Sequence, residues 1–237
     1  MPFTPTRKTV GFEPAGSIAG FPANPVPYEL KPNEAFTKGD VVKFEYGKIV
    51  RADDSDTSGI VGVMAETVKQ EDNPSDGLTY GLVYDSPFRI YRVTMDVPAD
   101  CRKQGHDDSN ANRLSVLVKD DETTDQTFRG ALLYVYEGTN KGSIRTVSAM
   151  TGDGTDEVYT VTKAFPKRCD STTKFIILGD DSAADRPVNV GTRVLLDDHK
   201  QVDAGGNPTS GPFLVRAIYP EDLMMDVVLR GAAHISG

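Results

Sequence analysis

The stretch "GDVVKFEYGKIVRADDSDTSGIVGVMA", Gly39 to Ala65, recurs 152 residues later without a gap as "GTRVLLDDHKQVDAGGNPTSGPFLVRA", Gly191 to Ala217. Ten of the 27 positions are identical: Gly39 falls on Gly191, Val42 on Val194, Lys48 on Lys200, Val50 on Val202, Ala52 on Ala204, Thr57-Ser58-Gly59 on Thr209-Ser210-Gly211, Val63 on Val215 and Ala65 on Ala217. Average residue usage gives about two matches in such a window. A chain that carries one segment twice needs one local structure that serves twice, and this bounds the fold more tightly than composition does.

That local structure is strand and turn. "DVVKFE", "GKIV", "GIVGVMA", "LTYGLVY" and "FRIYRVTMDV" are rich in β-branched and aromatic residues and bounded by Gly, Asp, Asn and Ser. A middle block has the same character, with "ALLYVYE", turn "GTNKG", "SIRTVSAM", turn "TGDGTDE", "VYTVTKAF" and "KFIIL". The chain therefore reads as all-β. Phe88 and Ile90 share one phase while Val93, Met95 and Val97 follow the other, which predicts a bulge near Tyr91. "PEDLMMDVVLR" fits a helix and a strand; the likeness of Met225-Asp226-Val227 to Met95-Asp96-Val97 favours strand. The expected divisions are a β module at 36–98, a polar loop with a short strand at 99–126, a middle β block at 127–180 and the second module at 186–237.

Residues 1–35 differ from the rest. They hold seven of the fifteen prolines, which remove backbone donors and block helix and central strand. Phe3, Phe12, Phe21 and Tyr28 are spread through them. The segment reads as an extended arm lying on its own body or on a neighbour, with these four side chains as candidate partner contacts. An unstructured terminus is the alternative.

The acids of Asp53 to Asp56 raise the question of calcium. An EF-hand loop needs oxygen ligands at positions 1, 3 and 5, Gly at 6 and a bidentate Glu at 12. Asp54, Asp56, Ser58 and Gly59 fit, but position 12 is Ala65 and the flanks read as strands. The second copy has lost every acid and kept Thr-Ser-Gly. The shared element is the turn, so Gly39, Gly59, Gly191 and Gly211 are read as turn glycines that supply a backbone conformation other residues resist. No metal ligand set is expected.

Other chemistry finds little footing. A net charge of −9 without clustered Lys or Arg argues against nucleic acid and anionic membranes. No apolar run reaches membrane-helix length, and the first residues do not read as a signal peptide. Cys101 and Cys169 match no metal spacing and read as reduced thiols, with a disulfide as the alternative. His106, His199 and His234 form no ligand motif. "GTNKGS" resembles a phosphate loop but joins strand to strand. "DDETTD" and "DDSD" could place paired carboxylates, but acids crowded in turns are more often solvated. No catalytic residue and no cofactor are expected.

The segment "FTKGDVVKFEYGKIVRADDSDTSGIVGVMAE" with "FRIYRVTMDVPA" resembles the head decoration, or cement, proteins of tailed bacteriophages, through Gly39, Val42, Gly59, Gly62 and Val63. The resemblance implies short-stranded β-barrel or β-tulip-like modules. It also implies attachment to the major capsid protein on the outside of the virion, after assembly in the host cytoplasm, often as a trimer at local threefold positions. The chain departs from that family in being longer and in doubling the module. Two other readings stand beside it: a host-receptor or carbohydrate-binding β module of a fibre or tail protein, and an enzyme on a β scaffold.

Overall fold

The computed structural model describes residues 11–20, 24–97, 101–107, 112–118, 128–152, 156–179, 188–204 and 211–230. Among them the chain is all-β, with one 3-10 turn at Gln70–Asp72 and no α-helix. In chain order the strands are β1 (Glu13–Ser17), β2 (Val26–Glu29), β3 (Val41–Glu45), β4 (Lys48–Arg51), β5 (Ile60–Met64), β6 (Tyr80–Tyr84), β7 (Arg89–Asp96), β8 (Arg102–Gln104), β9 (Ser115–Val118), β10 (Leu132–Glu137), β11 (Ile144–Gly152), β12 (Glu157–Val161), β13 (Lys174–Leu178), β14 (Arg193–Val194), β15 (Leu196–Asp198), β16 (Gln201–Asp203), β17 (Phe213–Tyr219) and β18 (Met224–Leu229).

The strands fall into two compact units. One contains residues 11–95, Arg193–Asp203 and 211–230; the other contains Asp96–Thr192 with Ala204.

The first unit holds two sheets. A five-stranded sheet runs β2-β6-β5-β3-β4. Leu30, just past β2, bridges Ile49 of β4, and the Lys31 N–H donates to the Ile49 carbonyl at 2.9 Å. The outer strands therefore meet, and the sheet curls round Leu30, Phe36, Val42, Ile49, Val61, Met64, Val68 and Val83. Closure pairs the backbone groups that a free edge would leave open. The second sheet runs β14-β17-β18-β7-β16-β15, with β1 added on β7. Only Leu195 separates β14 from β15, and its carbonyl accepts the Asp203 N–H at 3.1 Å. One short run of chain thus borders both ends of the sheet, which nearly closes into a barrel.

The second unit is a six-stranded sheet, β8-β13-β10-β11-β12-β9. Gly105 bridges Val118, and the His106 N–H donates to the Leu117 carbonyl at 2.7 Å, so this sheet also meets itself. A register shift at Val147/Ala149 lets β11 leave β10 and pair with β12. Tyr159 sits in the core between Phe128 and Phe175, with ring centroids 6.1 and 6.0 Å away.

The duplicated segment takes one plan twice. Shifted by 152, β3 falls on β14 and β15, β4 on β16 and β5 on β17. Asp40 N–H donates to the Thr37 carbonyl at 3.0 Å, and the Asp40 carboxylate accepts the Thr37 N–H at 2.7 Å. At the matching positions Thr192 N–H donates to Asn189 at 3.0 Å, and the Thr192 hydroxyl accepts the Asn189 N–H at 3.0 Å. The glycines inside these turns have φ of +92° (Gly39) and +94° (Gly191). β14 meets β17 at Val194↔Phe213, the register that Lys43↔Ile60 sets in the first copy.

Several expectations need correction. Residues 13–17 and 26–30 are not a separate arm: β1 pairs with β7, and β2 is a stave of the five-stranded sheet. The first module therefore begins before residue 36, and β7 belongs to the other sheet of its unit. The 99–126 stretch, expected as a polar loop with one short strand, supplies two strands, β8 and β9, to the middle sheet. Tyr91 is no bulge. Tyr91 itself lies inward with Val93 and Met95, β7 pairs with β18 without a shift, and Phe88 is the residue left outside. Alternation of apolar residues misplaces the inward face here because a tyrosine can be buried once its hydroxyl has a partner: Tyr91 donates to the Tyr84 carbonyl at 3.0 Å. Met225-Asp226-Val227 does form a strand, within β18, and it pairs antiparallel with β7.

Candidate interaction surface

Of the four candidate contacts, Phe3 and Phe21 lie outside the described residues. Phe12 is 1% exposed and packs on Phe213 and Tyr91, with centroids 4.8 and 6.2 Å away. Its N–H donates to the Gly39 carbonyl at 2.9 Å. It is a core residue of its own unit, and its ring is not available to a partner. Tyr28 is half-buried, edge-on to Phe44, and donates to Asp85 at 2.9 Å. Burial, then the Asp85 carboxylate, push its phenol up to about 12.

The glycines divide by physical role. Gly39, Gly59 and Gly191 have positive φ. Gly211 does not, and what it needs is space: a Cβ there would collide with the Val194 carbonyl oxygen. The same letter in the repeat thus answers a backbone-conformation demand in one copy and a close approach in the other.

Two of the three acids of the Asp53–Asp56 turn, Asp53 and Asp56, already have partners. Asp56 accepts the Asp53 N–H at 2.7 Å, and Asp53 accepts the Ser55 N–H at 3.1 Å. Lys43 reaches in from β3, with Nζ 2.7 Å from Asp56 and 3.8 Å from Asp53. The lysine is the cation of this turn, and the arrangement ties the connection between β4 and β5, which are not neighbours, to β3 that lies between them. Among the described residues no group of three or more His, Cys, Asp or Glu could hold a metal. Cys101 and Cys169 are separate buried thiols, and burial pushes the Cys169 thiol up. His234 and the "DDETTD" acids lie outside the described residues.

His199 is the histidine with a structural task. Its carbonyl accepts the Val41 N–H at 2.8 Å. Asp40, 1% exposed, faces Lys200 Nζ at 3.6 Å and His199 Nε2 at 3.9 Å. The hairpin turn of the second copy is therefore seated on the leading end of β3 in the first.

The features that face outward are apolar. Around the five-stranded sheet Tyr46 is 99% exposed, Leu78 69% and Tyr80 57%; Tyr46 follows the last residue of β3 and Tyr80 opens β6, and since both strands run antiparallel to β5 the two mark opposite strand ends. Tyr46 sits at the tip of the β3–β4 hairpin; Tyr80 is the register partner of Glu29. Between them Lys48 pairs with Glu29 at 2.6 Å and Lys31 with Glu45 at 2.8 Å. Charges satisfied within the chain and rings left in water suit contact with another protein. The sequence carried one sign of this: "EYGK" puts an aromatic residue in a two-residue turn where polar residues are usual.

No protein-family model matches the chain, and neither a curated protein nor a solved structure matches it.

Proposed function

We propose that the chain is a structural, non-enzymatic virion protein. In this reading it is a decoration or cement protein that binds the outer surface of a tailed-phage head as a homo-oligomer, with a trimer favoured, and stabilises contacts between major capsid subunits. The observation that carries the reading is the duplication: one turn-hairpin-strand plan, built twice, each copy opening on a turn closed by its own side chain. A repeating surface is gripped best by repeated contacts, because a first tether raises the effective concentration of the next. Leu78 and Tyr80 serve as apolar anchors, and the net charge of −9 keeps the chain off packaged DNA.

The test is co-sedimentation with empty heads of the phage that encodes the chain, beside a pull-down on host envelopes. Binding to heads is expected, with Leu78→Asp and Tyr80→Asp each weakening it about tenfold. Capture by envelopes and not by heads would instead establish a host-receptor module.

A further inference from the structure

The contact between the two copies inside one chain is head-to-tail, and such a contact leaves two halves unused. In the contact that is made, the second copy offers its hairpin turn, His199-Lys200, and the first copy offers the leading end of β3, Asp40-Val41. The unused halves are the first copy's hairpin turn, Tyr46-Gly47, and the leading end of β14 at Arg193. Burial follows this division. Asp40 and Val41 are 1% and 0% exposed, whereas Arg193 is exposed. His199 and Lys200 are partly covered, whereas Tyr46 and Gly47 stand in solvent.

We infer that the bare halves bind each other between molecules: the Tyr46-Gly47 turn of one chain seats on the leading end of β14 in a second copy. By place in the two-residue turn, the Tyr46 carbonyl replaces that of His199; by place in the repeat, the Arg193 N–H replaces that of Val41. The side chains suit the contact. A tyrosine ring and a guanidinium stack by cation–π attraction, and the two residue types dominate the centres of protein interfaces. The chain already stacks such pairs internally, Arg92 on Tyr219 at 4.4 Å and Arg89 on Tyr84 at 4.1 Å. Lys48 is held by Glu29, so the turn presents its ring and not a loose cation. A head-to-tail contact closes into a ring or runs on as a filament; a ring of three chains would set six copies of the module in a circle. The inference deepens the self-assembly part of the proposed function and rests on that part alone.

The test is sedimentation velocity on the full chain without capsids. A discrete closed oligomer is expected. Tyr46→Lys, which sets a cation against Arg193, and Arg193→Ala should each give a folded monomer by circular dichroism. Mixed in equal amounts, the two should form a heterodimer and nothing larger, because each keeps one intact half. Phe88→Glu, exposed elsewhere on the unit, should keep the wild-type mass. A monomeric wild type, oligomers retained by both variants, or a mixture that stays monomeric would overturn the inference. A wild-type monomer that still binds heads would leave the capsid reading standing, and an oligomer that ignores heads would do the reverse.

Discussion

Arg92 shows how a charged side chain is held in a sheet built mainly of aliphatic residues. Its guanidinium donates to both oxygens of Asp226, at 2.8 and 2.9 Å, and to the Tyr219 hydroxyl at 3.0 Å. Tyr219 in turn donates to Asp226 at 2.9 Å, and burial followed by that bond pushes its phenol up. Asp226→Ala leaves a two-thirds-covered guanidinium without its counter-ion and should cost about 2–3 kcal/mol, read as a fall in denaturation midpoint. Arg92→Met on that background should recover part of the loss. Asp170 gives the acid response. Hydrogen bonds from Thr139, then Thr172, hold its carboxyl below the usual carboxylate range. A carboxyl lowered in the folded state stabilises that state above its unfolded value of about 4, and the contribution is lost as pH falls through the folded value. The Thr139 and Thr172 amide resonances should therefore hold steady from about pH 7 to about pH 5 and move only in stronger acid, with Asp170→Asn removing the step. Neither cluster is legible in the sequence, because Arg92 and Asp226 are 134 residues apart and Thr139 and Asp170 are 31 apart.

At the scale of elements, strands and turns were readable because their signals are local. Alternation in "DVVKFE" and glycine after it specify a hairpin without help from the rest of the chain. What escaped were features set by distant partners. Leu30 closes a barrel by meeting Ile49, and all six residues of β18 are buried, so its inward face could not be picked out by alternation. The repeat glycines convert this into a measurement. Gly191 has open space at its Cβ position, so Gly191→Ala suffers only from the left-handed backbone, about 1 kcal/mol. Gly211→Ala drives a methyl into the Val194 carbonyl and should cost about 3 kcal/mol or more, as overpacking does. Equal losses in thermal melts would contradict this division of roles.

At the scale of the whole chain, the path matters more than the parts. The chain leaves the first unit after β7 and re-enters it at β14, and β7 then pairs with β18 across the interval. Pattern reading along the sequence cannot show such an insertion, because each block looks complete where it stands. The N-terminal segment is judged differently too. Deleting residues 2–35 removes Phe12, β1, β2 and Leu30, so it should unfold the first unit and not merely free a tether; Phe12→Ala alone should cost about 3–5 kcal/mol. The intervening segment supports the complementary prediction. Residues 96–192 carry all six strands of the middle sheet, the Gly105–Val118 bridge that closes it, and the core of Phe128, Tyr159 and Phe175. Its buried pair, Lys103 with Glu157, lies on β8 and β12 of the same sheet at 3.6 Å, so cutting the segment out strands neither charge of the pair. A fragment of residues 96–192 should therefore fold by itself, with dispersed amide resonances and a single cooperative melt. Lys103→Met in that fragment should cost about 3–5 kcal/mol by leaving Glu157 buried opposite a methyl group. A collapsed fragment without dispersion would show that this sheet depends on chain beyond its own strands.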